Sequence, residues 1–99
     1  MIEITHQPLD PERITAQVRK DTNGAVVTFL GATRNNFQGK RVVQLEYEAF
    51  EEMALKMLEQ VRQEIMAEFA IEDIAIAHRI GTVDIGQTSL VVAVASPHR

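Results

Sequence analysis

The chain has 99 residues, of which 45% are hydrophobic, and its formal net charge is −4. This length allows a single globular domain over 1–99 with a real hydrophobic core, and the acidic balance excludes a general affinity for nucleic acid. The absence of cysteine excludes disulfides, thiolate metal sites and a thiol nucleophile, and no apolar run approaches the roughly 20 residues of a membrane span.

The N-terminal segment predicts a short strand followed by a helix. Ile2 and Ile4 alternate with polar residues, which is typical of an edge strand. A helix begins at Asp10-Pro11-Glu12, where Asp can act as the N-cap and Pro occupies the first helical position. We expect this helix to end at Asn23-Gly24, because both residue types tolerate a left-handed backbone.

The next segment predicts two strands joined by a loop. The apolar run over 25–30 indicates a buried strand, and the stretch over 31–40 is polar and predicts a loop. Residues 41–49 alternate cleanly, which predicts a half-buried antiparallel strand. The residues expected on its apolar face are Val43, Leu45 and Tyr47.

The C-terminal half predicts one long helix and three strands. Helical periodicity over 50–69 gives one apolar face, and alternation over 74–80 gives a strand. A short ribbon is expected between Gly81 and Gly86. The run over 90–95 has no polar side chain, so we expect a central strand that is apolar on both faces. The apolar helix positions are Ala54, Met57, Leu58, Val61, Ile65 and Phe69.

The order β-α-β-β-α-β-β-β predicts an α+β domain with one mixed, mostly antiparallel sheet packed by helices. Two helices are too few to cover both faces of such a sheet. We therefore expect a third helix, or a partner, over the last strand.

Two polar segments follow apolar strands and are candidates for anion binding. Gly31-Ala32-Thr33-Arg34 could offer a guanidinium to a phosphate or carboxylate, although an ordinary hairpin connection explains the same residues. The chain stops at Ser96-Pro97-His98-Arg99, directly after the last strand, and an arbitrary end point is the alternative there. An acidic protein with such a local basic cluster favours a small anionic ligand.

Other chemistries have little support in the sequence. The glycine spacing after Leu30 does not match a phosphate-binding P-loop, and no serine lies in a nucleophile elbow. His78-Arg79 near the end of a strand is best explained by a satisfied histidine at the sheet margin and a salt-bridging arginine. Three histidines without cysteine and without i,i+4 spacing make a poor zinc site, so we expect no metal.

Taken together, four stretches resemble the large, catalytic subunit of molybdopterin synthase, in the same order and at similar spacing. They cover most of the chain from about Gly24 onward. The matching stretches are 24–35, 45–50 with Met53-Ala54, 78–81 and 91–99.

The resemblance implies an α/β-hammerhead fold with an added antiparallel sheet, assembled as a homodimer at the core of a heterotetramer. It implies transfer of sulfur to cyclic pyranopterin monophosphate, giving molybdopterin. The sulfur donor would be the Gly-Gly thiocarboxylate of a small ubiquitin-like subunit. No cofactor, nucleic acid or membrane is implied.

The resemblance also implies site residues. Carried over by position, Ala32, Thr33, Arg34, His98 and Arg99 would line the substrate pocket. Phe29 could form a wall of that pocket, although a core aromatic explains it equally well.

Catalytic residues cannot be carried over. The family continues past the His-Arg pair with a helix and a tail that contains two lysines thought to act in catalysis. The lysines of this chain, Lys20, Lys40 and Lys56, do not stand in matching contexts. We therefore expect this chain to lack the family's C-terminal segment and to be inactive alone.

Two other functions stay open. One is a non-catalytic dimeric module of the same fold that docks the small subunit or a small anion. The other is an unrelated α+β ligand sensor, which would not bind a Gly-Gly-tailed partner. Because Met1-Ile2-Glu3-Ile4 has neither a basic nor a long apolar region, we expect a cytoplasmic protein.

Overall fold

A computed structural model describes residues 1–37, 40–41, 44–47 and 50–99, with side chains described outside 36–49. The α+β class is confirmed, with a short additional hairpin that begins inside the predicted loop over 31–40. The elements are β1 (Ile2–Thr5), α1 (Pro11–Ala16), β2 (Ala25–Ala32), β3 (Asn36–Phe37), β4 (Lys40–Arg41), β5 (Gln44–Tyr47), α2 (Glu51–Glu68), β6 (Asp73–Arg79), β7 (Gly81–Asp84) and β8 (Thr88–Ser96).

The main sheet has four strands in the order β1-β6-β8-β2. β1 lies at an edge and runs parallel to β6, while β8 runs antiparallel to both β6 and β2. The predicted edge position of β1 and the predicted central position of β8 are therefore confirmed. Two further ladders, β3–β4 and β5–β7, are separate from this sheet in the described part of the chain, so the expectation of one sheet was wrong there.

One buried apolar cluster lies on one face of the sheet, beneath α1. Ile14 and Val18 are fully buried against small side chains of β6 and β8. Because these strand residues are mostly alanine, the helix can approach the sheet closely without leaving a void. The buried strand residues are Ala75, Ala77, Val91, Ala93 and Ala95.

α1 begins as predicted and ends earlier than predicted. The Asp10 carboxylate accepts a hydrogen bond from the Glu12 N–H, which caps the helix at the expected place. The chain leaves the helix after Ala16, where the N–H of Val18 donates to the Thr15 carbonyl in a tighter turn. The segment up to Asn23-Gly24 is therefore not helical, and those residues do not end a helix.

Other boundaries also differ from expectation. β2 extends two residues beyond Leu30, and Ile85 lies in the turn after β7 instead of in the ribbon. The predicted strand over 41–49 is described only in part, as the end of β4 and as β5. Positions 42, 43, 48 and 49 lie outside the described residues. The predicted apolar face of that strand, including Val43, is therefore not described.

α2 packs on the opposite face of the sheet, over β1 and β6, and none of its residues is fully buried. The predicted helix is confirmed, but its predicted apolar face is only half covered. Ala54, Leu58 and Ile65 are partly buried, whereas Met57 and Val61 are exposed. No helix in the described ranges is long and apolar enough to cross a bilayer.

Polar contacts of Arg62 attach α2 to β6. Its Nε donates to the Ile74 carbonyl at 2.8 Å, and its Nη2 donates to the Asp73 carboxylate at 2.6 Å. Its Nη1 donates to Glu59 at 3.2 Å. The Arg62 side chain is largely buried in this position, so its guanidinium supplies buried polar contacts between α2 and β6.

We predict that Arg62→Met destabilises the fold by about 1–3 kcal/mol, because the partly buried Asp73 carboxylate loses its charged partner. Chemical denaturation followed by circular dichroism measures this change. Lys56→Met is the matched control, because the Lys56–Glu52 pair is exposed and we expect a change within about 0.5 kcal/mol. Equal effects of the two variants would contradict the anchoring role.

We also predict a pH dependence of stability that comes from Asp73. Burial acts to raise the pKa of this carboxyl, but hydrogen bonds from Arg62 and the Ile74 N–H, with the Arg62 charge, lower its pKa below the ordinary 3.8. Because the unfolded state then binds more protons, the stabilisation is present above that value and is lost as pH falls through the folded-state pKa. When the free energy of unfolding is measured at decreasing pH, the Asp73→Asn variant should lose the part of the pH dependence that comes from Asp73. An unchanged pH dependence would contradict this prediction.

Candidate functional site

The loop after β2 is fixed against the turn between β7 and β8. The register of β2 on β8 shifts between Gly31 and Ala32, where the strand leaves its ladder. The Thr33 N–H then donates to the Gln87 carbonyl at 3.1 Å, and the Gly86 N–H donates to the Thr33 carbonyl at 2.8 Å. These two bonds hold the backbone on both sides of Thr33 and thereby set the position of Arg34.

The three predicted site residues of this loop have different exposures. Ala32 and Arg34 are exposed, whereas the Thr33 side chain is only 2% exposed. The Thr33 hydroxyl has no hydrogen-bond partner in the described part of the chain. Within one protomer, Arg34 can therefore reach a ligand at the surface, while Thr33 contributes through its position in the loop.

The segment after β8 is also held by specific bonds. The Ser96 hydroxyl donates to the His98 carbonyl at 2.8 Å and accepts from the His98 N–H at 3.2 Å. The Gly24 N–H donates to the carbonyls of Ser96 and Pro97 at 3.0 and 3.1 Å. The exposed side chains of His98 and Arg99 thus start from a backbone that is attached to the beginning of β2.

The structure separates the two halves of the predicted pocket. Antiparallel pairing places Ala25 opposite Ser96 and Ala32 opposite Thr88. The Arg34 loop and the His98-Arg99 pair therefore lie at opposite ends of the β2–β8 ladder, separated by about 23 Å for seven strand steps. A single chain does not bring these residues into one pocket.

The structure also shows the positions of the remaining candidate residues, Phe29, His78 and Arg79. Phe29 is 57% exposed on β2, so it is not a core aromatic. His78 Nδ1 makes a 2.7 Å hydrogen bond with the Ser89 carbonyl, which confirms a satisfied histidine at the sheet margin. Arg79 donates to the Gln87 side chain at 3.0 Å, so the contact shown for it is to an amide and not to the expected carboxylate.

Sequence reasoning missed a polar groove beside the start of β2. Arg19 and Lys20 line it together with Asn23, whose side-chain oxygen is buried without a partner among the described residues. The backbone N of Arg99 lies 3.9 Å from the place of a Gly24 Cβ, at the rim of this groove. The signal in the sequence is the pair of adjacent cations before Asn-Gly, in a segment whose pattern predicts the end of a helix.

Both clusters can bind anions, and neither contains an activated nucleophile. Arg34 offers a planar guanidinium at one end of β2, and Arg19 and Lys20 place positive charge at the other, where the backbone of Arg99 lies beside Gly24. Within the described ranges, no three His, Asp or Glu side chains are grouped to hold a metal ion. The arrangement is suited to a phosphate or carboxylate.

Comparisons with known proteins show the family of this chain. A family model described as "MoaE protein" matches residues 4–99. The molybdopterin synthase catalytic subunit of Bacillus subtilis is 48% identical over 97 residues, which are 98% of this chain and 62% of that protein.

Solved structures give the same fold. The crystal structure of molybdopterin synthase from Staphylococcus aureus superposes with a TM-score of 0.91 at 37% identity, covering 98% of this chain and 71% of the other. A complex of subunits 1 and 2 of the molybdopterin-converting factor from Helicobacter pylori matches with a TM-score of 0.72 at 21% identity, covering 99% and 66%, and this match supports the fold alone. The chain spans less than two thirds of the Bacillus subtilis relative.

We predict that Gly24→Ala displaces the His98-Arg99 segment, because a Cβ at this position would lie 2.6 Å from the Pro97 carbonyl oxygen. The backbone must shift to relieve this contact. Amide chemical shifts should move over 96–99 and stay nearly constant around the Arg34 loop. Thr22→Ala, an exposed change two residues earlier, is the control; equal shifts in both variants would contradict the prediction.

Proposed function

The chain belongs to the MoaE family, and from this premise we propose that it acts as the large subunit of a molybdopterin synthase. Sulfur passes from the thiocarboxylated C-terminus of a small ubiquitin-like subunit to cyclic pyranopterin monophosphate, giving molybdopterin. The 48% identity to the Bacillus subtilis catalytic subunit, over nearly the whole of this chain, carries the proposal.

The site residues take binding roles in this reaction. Arg34, His98 and Arg99 hold the phosphate of the precursor or the anionic donor tail, and Ala32 and Thr33 set the loop beside them. In a partly dehydrated pocket each charge-assisted hydrogen bond is worth about 1.5–3 kcal/mol. The cationic character of both clusters and their attachment to strand ends support these roles.

The proposal assigns no catalytic lysine to this chain. Lys56 lies on α2, with its side chain 77% exposed beside Glu52, and Lys20 lines the groove next to Asn23. The side chain of Lys40 lies outside the described ones. In the proposed assignment, 1–99 forms one domain that supplies substrate binding, and the acid–base lysines belong to the family's C-terminal segment.

The partners follow from the same premise. A small subunit delivers its Gly-Gly tail to the large subunit, and a homodimer of large subunits forms the core of a heterotetramer. The Helicobacter pylori structure, which shares the fold, is itself a complex of the two subunits of a molybdopterin-converting factor. We assign the reaction to the cytoplasm, because the named relatives are biosynthetic enzymes.

The activity is tested on the protein translated from its complete reading frame. It is mixed with cyclic pyranopterin monophosphate and thiocarboxylated small subunit, and molybdopterin is measured by mass spectrometry. We expect conversion, and we expect the 99-residue chain alone to bind substrate without converting it. Absence of product beside an active control enzyme would refute the enzymatic function, and retained binding of the small subunit would then favour a docking module.

Two variants test the assigned binding roles. Arg34→Ala should weaken precursor binding about 10- to 150-fold, which corresponds to the loss of one charge-assisted contact. Lys56→Ala removes an exposed cation from α2 and is the matched control, with unchanged binding expected. Calorimetric titration with the precursor measures both, and an Arg34→Ala protein that binds like the control would remove Arg34 from the site.

A further inference from the structure

His78 and Arg79 are adjacent on β6, and the proposed function gives neither of them a role. His78 Nδ1 makes a 2.7 Å hydrogen bond with the carbonyl of Ser89, and Arg79 Nη1 donates to the Gln87 side chain at 3.0 Å. Both partners lie at the start of β8 or in the turn before it. That turn is the one to which the loop carrying Arg34 is bonded.

β8 contains a β-bulge at Ser89. Gly31 of β2 pairs with Leu90. The next residue of β2, Ala32, pairs with Thr88. One step along β2 therefore corresponds to two steps along β8, which leaves Ser89 as the extra residue. A bulge interrupts the ladder at such a residue and changes the direction of the chain, and bulges are frequent next to active sites.

Both neighbouring strands hold this extra residue. Ser89 is only 5% exposed, and its hydroxyl donates to the Gly31 carbonyl on β2 at 3.3 Å. On the other side its carbonyl is bonded to His78 on β6. Because a carbonyl oxygen only accepts, Nδ1 of His78 carries a proton and is the donor. A bulge residue that is bonded on both sides is held in one position, so the shift in register that it introduces is fixed.

The shifted register continues into the loop after β2. Without the extra residue, Thr33 would lie opposite Thr88, whereas the shifted register places it opposite Gln87. The hydrogen bond from the Thr33 N–H to the Gln87 carbonyl follows this shifted register. Arg34 comes directly after Thr33, so the bulge determines the point of the backbone from which its guanidinium extends.

Arg79 supports the same turn at a cost to its own solvation. Its Nε is buried and has no hydrogen-bond partner within the part of the chain that the structure describes. A buried donor without a partner normally destabilises a fold. The Nη1 of the same guanidinium bonds Gln87, whose carbonyl holds Thr33. A locally unfavourable arrangement that supports a candidate site is typical of a functional role.

We propose that His78 and Arg79 are positioning residues for anion binding by Arg34, a role that rests on the proposed function. His78 fixes the bulge at Ser89, and Arg79 fixes the side chain of Gln87. In this role neither side chain needs to touch the anion. Both act through the backbone of the loop, on which the position of the Arg34 guanidinium depends.

The first experiment measures by NMR whether His78 fixes the loop. The amides of Thr33 and Gly86 are hydrogen-bonded between the loop and the turn, and in His78→Leu we expect them to exchange with solvent about tenfold faster. His78→Asn should restore slow exchange, because its amide N–H lies the same number of bonds from Cα as Nδ1. His6→Leu, which removes an exposed histidine outside the loop, is the matched control and should leave the exchange unchanged.

Circular dichroism checks that each variant is folded. Where His78→Leu does not fold, His78→Gln replaces it, because its donor lies one bond farther from Cα and should not restore the contact. Unchanged exchange in the folded variant, or equally fast exchange in His78→Asn, overturns the role of His78.

The second experiment measures the affinity of the protein from its complete reading frame for the precursor by calorimetric titration. His78→Leu and Arg79→Met should each weaken binding roughly 2- to 10-fold, which corresponds to the loss of one neutral hydrogen bond. In the Arg34→Ala background the same substitutions should have no further effect, because they act through Arg34. Ile14→Val, which loosens the buried cluster beneath α1, should leave the affinity unchanged. An undiminished effect in the Arg34→Ala background overturns the positioning role.

The two experiments separate this inference from the proposed function. If the wild-type protein does not bind the precursor, the proposed binding role is refuted, and the exchange rates still decide whether His78 fixes the loop. If the wild type binds the precursor and both His78→Leu and Arg79→Met bind it equally well, the positioning role is overturned and the proposed function stands.

Discussion

The antiparallel pairing of β2 with β8 is the constraint on which the arrangement of the site depends. β8 can lie in the centre of the sheet only with a neighbour on each side, and β2 supplies the second neighbour along its whole length. Because the two strands run in opposite directions, the residues after β2 and the residues after β8 must lie at opposite ends. A polar segment that directly follows an apolar strand is held in a fixed position. Two such segments that follow antiparallel neighbouring strands lie at opposite ends of the ladder and cannot meet.

The same sheet is covered unequally on its two faces. Beneath α1, a row of alanines on β6 and β8 receives Ile14 and Val18, and the burial is complete. On the other face α2 covers only the β1–β6 side, and Arg62 holds it there by two hydrogen bonds to β6. The β2 side of that face keeps Val27 and Phe29 exposed. The sheet therefore ends in an uncovered apolar strand on the side that carries the candidate site.

Much of the fold could be predicted from local patterns. Alternation identified the edge strand β1, and the run over 90–95 indicated a central strand because both its faces are apolar. The end of α1 could not be predicted from Asn23-Gly24, because Gly24 pairs with the end of β8, far away in the chain. The separation of Arg34 from the His98-Arg99 pair within one chain could not be predicted for the same reason. Residue types can indicate that Arg34 and His98 bind anions, whereas their separation is set by the register between distant strands.

The ladder that separates Arg34 from the His98-Arg99 pair also attaches both of them to strand ends, so their separation is set by the fold and not by loop conformation. The other edge of β2 has no pairing strand among the described residues, and none of the eight residues of β2 is charged. Natural edge strands commonly carry lysine or proline, which prevents pairing with another strand. The exposed side chains of Val27 and Phe29 therefore leave apolar surface of the main sheet uncovered beside the candidate site.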